Sequence, residues 1–178
     1  MRIVLVALAA LVLLGAKTPE KKINWLTIEE AQELVKTAPK KIMIDVYTDW
    51  CGPCKMMMRN TFTNPWVIDY INEHYYAVKF NAESPDPITF KGTEYVNENY
   101  NPNAVRKGTH QFAAIAMSNG RLAYPTIVYM DEKLDILSPV QGYMAPEQIE
   151  PVMTFFGEGL YETTNWEDYQ KTFSSKLP

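Results

Sequence analysis

At 178 residues, 47% apolar and 12% aromatic, the chain has material for one domain with a genuine core and is not a disordered polypeptide. Its formal net charge is −4, and its 17 basic residues are scattered without forming a run. Nothing there suggests a polyanion partner, and no nucleic-acid partner is expected. At the N-terminus, Arg2 supplies a positive start, Ile3 to Leu14 form an uninterrupted apolar stretch, and small Gly15 and Ala16 precede the polar Lys17-Thr18-Pro19-Glu20. This is the layout of a secretory signal over residues 1–16, cut after Ala16, and it predicts a periplasmic or otherwise exported protein. The alternative is an uncleaved N-terminal membrane anchor, since Leu14 is large for its place before the cut. Against an anchor, the apolar run falls short of the roughly 20 residues a spanning helix needs.

Past the leader, residues 17–178 read as a single domain of mixed α/β class. Thr27-Ile28-Glu29-Glu30 has the form of a capping box opening a helix, with Ile28, Ala31, Leu34 and Val35 on its apolar face and Pro39 stopping it. Lys41 to Tyr47 is apolar on both faces, as a buried central strand is. Residues 52–60 lead into a helix, Asn64-Pro65 starts another carrying Val67, Ile68 and Ile71, and Tyr75 to Phe80 is a further strand. From Ala82 to Lys107 the pattern gives way to Pro, Asn, Gly and charged residues, with a small hairpin expected around Lys91-Gly92. A helix is expected from Thr109 to Met117, ending at Asn119-Gly120. Pro125 to Met130 and Leu134 to Val140 flank the turn Asp131-Glu132-Lys133 as an antiparallel pair. Glu147 to Phe156 and Asn165 to Phe173 complete the helices. The order implies a mixed sheet with helices on both faces.

The chemistry concentrates in Trp50-Cys51-Gly52-Pro53-Cys54-Lys55, which holds both cysteines of the chain. A bridge closing so short a loop constrains the unfolded chain little, so the pair reads as chemical rather than structural. A strand delivers Cys51 to a helix start, where free backbone N–H groups and the helix dipole favour a thiolate. Pro53 suits a first helical turn, and Cys54 lies one turn on. Cys51 is thus expected to be the exposed attacking sulfur and Cys54 the more buried, resolving one. An inert disulfide and half of a zinc site are the alternatives; zinc would need two more ligands, and His74 and His110 lie at no finger-like spacing. Met56, Met57 and Met58 suggest a soft metal, but consecutive helical positions point three ways and make no single site, so no metal is expected.

The hexapeptide resembles the active-site sequence of the thioredoxin family without a change, and further positions match in order. Asp45, six before Cys51, falls where the family keeps a buried carboxylate beneath the second cysteine, and Lys79 where it has a nearby lysine. Tyr124-Pro125-Thr126 matches the loop whose proline is cis and faces the disulfide, and Gly142 a glycine on the last strand. The resemblance covers about residues 40–157 and implies a thioredoxin-like fold with an insertion over about 82–107, before the cis-proline loop, and a C-terminal extension over 158–178. It gives Cys51, Cys54, Asp45 and Lys79 as catalytic and Trp50, Gly52, Pro53, Tyr124 and Pro125 as substrate-binding.

Each match has a physical reading of its own. Asp45 is the one charge within Ile42 to Tyr47; burial would raise its pKa and make it a proton acceptor for Cys54. A strand-end aspartate bonded to a helix, a snorkelling Lys79, a trans Pro125 and a core Trp50 are the plainer alternatives. The insertion either walls the substrate groove or is a surface elaboration, while Tyr161, Trp166, Tyr169 and Phe173 are expected to pack back on the domain.

Together these features imply a monomeric thiol–disulfide oxidoreductase outside the cytoplasm, reducing or exchanging protein disulfides with no cofactor beyond the Cys51–Cys54 dithiol. Its partners would be disulfide-bonded or thiol client proteins and a membrane-embedded thiol electron donor. The alternatives are a disulfide oxidase or isomerase, and a thioredoxin-like peptide-binding or chaperone module.

Overall fold

The computed structural model describes residues 21–116 and 122–178; the leader and the expected helix end at Asn119-Gly120 lie outside them. Five strands form the main sheet: β1 (Trp25–Leu26), β2 (Lys41–Tyr47), β3 (Tyr75–Asn81), β6 (Thr126–Met130) and β7 (Ile136–Gln141). Their spatial order is β1-β3-β2-β6-β7, with β1 and β2 parallel to β3, and β6 antiparallel to both β2 and β7. A two-stranded hairpin, β4 (Ile88–Phe90) and β5 (Thr93–Tyr95), turns at Lys91-Gly92, both at positive φ. The helices are α1 (Ile28–Thr37), α2 (Gly52–Asn60), α3 (Pro65–His74), α4 (Gln111–Ala116), α5 (Pro146–Gly157) and α6 (Trp166–Thr172). This is a thioredoxin-like α/β fold, a mixed central sheet flanked by helices.

Side-chain alternation along the strands divides the core in two. On β2, Ile42, Ile44 and Val46 join Ile28, Ala31 and Val35 of α1 and Phe112 and Ala113 of α4 on one face. Met43 joins Met57 of α2, Ile68 and Ile71 of α3 and Ile149 and Met153 of α5 on the other. Asp45 has the parity of Met43 and so points toward the α2 face, where the cysteines are. α1 begins with the capping box: the Thr27 hydroxyl accepts from the Glu30 N–H at 3.2 Å, and Glu30 Oε2 from the Thr27 N–H at 2.8 Å. The Asn64 side chain accepts from the Trp66 and Val67 N–H groups, capping α3 directly after α2.

Several expectations are corrected. Leu34 is 39% exposed rather than buried; at about 100° per residue it lies some 120° from Ile28, off the stripe that Ala31 and Val35 continue. β7 starts at Ile136, not Leu134, because Leu134 adopts φ 66° in a turn closed by Asp131, whose side chain accepts from the Lys133 and Asp135 N–H groups. α4 starts at Gln111, because the His110 N–H turns away to the Ala82 carbonyl at 2.8 Å. β1 carries no periodic signal in two residues; pairing with β3 alone makes it a strand. The C-terminal extension packs back as expected. Phe155 of α5 meets Trp166 at 5.3 Å and Tyr169 at 5.1 Å between ring centroids, and the Ser175 hydroxyl donates to buried Glu150.

Candidate active site

The sharp step from β2 into α2 creates the site. The Cys51 N–H donates to the Thr48 carbonyl at 3.2 Å, turning the chain, and Cys51 becomes the N-cap of α2 with Pro53 in its first turn. Cys51 and Cys54 are joined by a disulfide. The Cys54 N–H donates to Cys51 Sγ at 3.1 Å, so a sulfur takes the place of the usual capping oxygen. That N–H and the aligned helix dipole both favour negative charge on Cys51 when the bridge opens. The expected contrast in exposure is absent: Cys51 is 2% and Cys54 4% accessible. In the oxidised pair both residues are buried, and the Cys54 N–H contact holds Cys51 Sγ at the head of α2. Gly52 and Pro53 between them are exposed.

Adjacent parallel strands place Asp45 directly beside Lys79. Asp45 is 2% exposed, and Lys79 Nζ lies 3.8 Å from its Oδ2. Burial pushes the Asp45 carboxyl up from 3.8 to about 6, with the Lys79 charge pulling the other way. Burial also lowers the Lys79 ammonium, which Asp45 partly offsets. Lys79 does not snorkel freely. Its Nζ donates to Met58 Sδ at 2.8 Å and lies 4.8 Å from the Tyr47 ring centroid and 5.6 Å from that of Trp25. A cavity of about 330 Å³ bounded by Tyr47, Cys54, Met58 and Lys79 opens here, so the second cysteine and the ammonium share one pocket. A carboxylate near pKa 6 in this position is suited to accept and return a proton close to neutral pH.

The residue before Cys51 belongs to a half-exposed aromatic rim. Trp50 is 40% exposed and meets the half-buried Tyr124 edge-on, centroids 5.8 Å apart at 80°. The Tyr124–Pro125 bond is cis. The Pro125 carbonyl accepts from the Gly142 N–H at 2.8 Å, and Gly142 holds φ 101°, a left-handed conformation that favours glycine. The Thr126 hydroxyl donates to the Ala123 carbonyl at 2.7 Å, fixing the loop from its other end.

Sequence reasoning missed the residues that close this rim. The Trp50 indole N–H donates to Oε1 of buried Glu83 at 3.0 Å, and Arg106 lies over the Trp50 ring at 4.9 Å. Both come from beyond β3, more than 30 positions along, and only a half-buried indole's need for an acceptor hints at them. The two histidines are engaged elsewhere. His110 is fully buried, accepts the Phe112 N–H at 3.1 Å and sits 3.2 Å from the Asp86 carbonyl, while His74 stacks on Tyr70 at 4.1 Å. Met57 is buried, Met56 exposed and Met58 turned to Lys79, three directions from three successive positions.

A family model described as a thioredoxin-like domain matches residues 28–157. Over 47 residues the chain is 47% identical to the thiol:disulfide interchange protein DsbD of Haemophilus ducreyi, covering 26% of this chain and 8% of that protein. It is 24% identical over 140 residues to the same-named protein of Pectobacterium atrosepticum, 76% of this chain and 20% of that one. The chain therefore spans a fifth or less of the length of these curated relatives. A thioredoxin-fold protein from Helicobacter pylori superposes with a TM-score of 0.53 at 22% identity, over 75% of this chain and 79% of that one; at that identity the match speaks for the fold. With a model matched over more than half its length and a disulfide in the family's motif, this chain belongs to the thioredoxin-like family of thiol–disulfide oxidoreductases.

Proposed function

We propose that the protein reduces or exchanges disulfides of client proteins outside the cytoplasm. The observation that carries this reading is the Cys51–Cys54 bridge capping α2, with Cys51 Sγ taking the Cys54 N–H. In the reduced protein, the Cys51 thiolate attacks one client sulfur and the other client sulfur leaves as thiolate. Cys54 gives its proton to Asp45 and attacks Cys51 Sγ. The client's second thiol is released and the internal bridge re-forms, so two electrons pass to the client. Lys79 positions the Asp45 charge through the 3.8 Å contact. Trp50, Gly52, Pro53, Tyr124 and Pro125 present the surface on which the client lies, with backbone beside Pro125 pairing to an extended segment.

The leader's layout and the likeness to proteins named for thiol:disulfide interchange support an exported site of action. Among the described residues no helix is long and apolar enough to cross a membrane. An exported reductant must be recharged, which calls for a membrane-embedded thiol donor. Gly52-Pro53 between the cysteines favours the reducing end of the range, near about −270 mV rather than about −120 mV. Equilibrating the protein with glutathione buffers measures this directly, and a potential near the oxidising end overturns the reductase direction.

A further inference from the structure

Between the insertion and the cis-proline loop runs a groove of about 320 Å³, bounded by Trp50, Glu83, Arg106, Thr109, Leu122 and Tyr124. Two of its lining residues adjoin the site in sequence: Trp50 precedes Cys51, and Tyr124 precedes the cis Pro125. We infer that this groove is a subsite for client polypeptide, and that Arg106 selects segments carrying a carboxylate next to the disulfide. The inference rests on the proposed oxidoreductase function and names which clients that site takes.

The groove combines apolar and charged parts. Trp50 at 40% and Leu122 at 48% offer exposed apolar surface to an incoming chain. Every acid around the groove except the client's is already engaged. Glu83 holds the Trp50 indole N–H, and Asp49 takes Lys107 Nζ at 3.4 Å and the Asn81 amide at 3.2 Å. Arg106 has no acid partner: among the described residues it forms no ion pair, and its contact is with the Trp50 ring. Its exposed guanidinium instead lies 4.9 Å from the indole centroid, where its N–H groups can donate to an incoming carboxylate. Glu83 fixes the ring from one edge and Tyr124 packs against it at 5.8 Å, so the platform under Arg106 is set before a client arrives.

The loop carrying Arg106 is held in place. The Asn97 amide donates to the Ser84 and Gly108 carbonyls, each at 3.2 Å, and the Asn101 N–H donates to the Lys107 carbonyl at 3.0 Å. Gly108 sits at φ 93°, where a Cβ would stand 2.5 Å from the Asn99 carbonyl oxygen. The backbone on either side of Arg106 is thereby fixed against the start of the insertion.

The test titrates the oxidised protein with cysteine-free peptides of matched length bearing Asp, Ala or Lys near the centre, following the Trp50 indole N–H resonance. The expected result is a saturable shift with affinity for the Asp peptide about fivefold above that for the Lys peptide, what one charge-assisted pair supplies. The difference should shrink at high salt, and Arg106→Glu should reverse the order. Equal affinities in the native protein, or an order that Arg106→Glu leaves intact, overturns the subsite. Turnover of hydroxyethyl disulfide by the reduced native protein is scored separately: its absence counts against the oxidoreductase reading, whereas the peptide titration judges the subsite without any redox step.

Discussion

On the Cys54 flank, charge is held by two adjacent strands, with Asp45 and Lys79 in register, the carboxylate buried and the ammonium facing the cavity beside Cys54. On the Trp50 flank, charge is held by a loop, with Glu83 and Arg106 brought to the indole by a segment that contains only a three-residue hairpin pair as regular structure. Strand register fixes positions through backbone bonds that nearly any side chain permits. The loop must be fixed by side chains, which here are the buried Asn97 and His110. The strand-built flank therefore suits proton transfer, which demands constancy, and the loop-built flank suits recognition, which differs from one protein to the next.

The sharpest way to break that contrast is at the cysteines both flanks share. Cys51→Ser should abolish exchange, by a factor of at least about a thousand. Cys54→Ser should retain the first attack and accumulate client as a mixed disulfide on non-reducing gels. A binding module with an accessory bridge would instead keep its client affinity and role in Cys51→Ser, which is the outcome that sinks the enzymatic reading.

Next comes the strand flank. Asp45→Asn should slow resolution by about a hundredfold and remove the inflection near pH 6 from the rate profile. The same group has a signature in stability. Because its folded pKa of about 6 lies above the ordinary 3.8, the folded chain holds this proton more tightly than the unfolded one. Its contribution to stability is therefore greatest at low pH and is lost as pH rises from 3.8 through about 6. Denaturant titrations of the oxidised protein across that window should show the decline in the native chain and a flatter curve in Asp45→Asn.

On the loop flank, His110→Ala should cost about 2 kcal/mol, since it leaves the Phe112 N–H unpaired and opens a void among Phe80 and Phe112. Proteolysis of the insertion should accelerate in step. The smallest effect is expected for Glu83→Gln, which keeps an acceptor for the Trp50 indole; Glu83→Ala should cost about 1 kcal/mol and shift that indole resonance. If Glu83→Ala left the resonance in place, the rim would not depend on the insertion and the two flanks would not differ as described.

Elements with local causes are legible in the residues alone. Thr27 with Glu30, Asn64 with Pro65, and Lys91-Gly92 each carry their cap or turn chemistry within four residues, and helix or hairpin follows where expected. Cys51 to Cys54 is equally local, and Asp45, Lys79 and Tyr124-Pro125 stand out by their match to a known pattern; the strands bring Asp45 to Lys79, and the Tyr124–Pro125 bond is cis. Features that depend on folding involve partners far apart in the chain. β1 is a strand because β3 lies beside it. Lys79 is turned from solvent by Met58 and Tyr47. Cys51, at the helix start where an exposed sulfur was expected, is buried by its own bridge and cap. Trp50 finds Glu83 and Arg106 across more than 30 residues, a separation at which no spacing rule operates, because loop closure leaves no periodic trace in sequence.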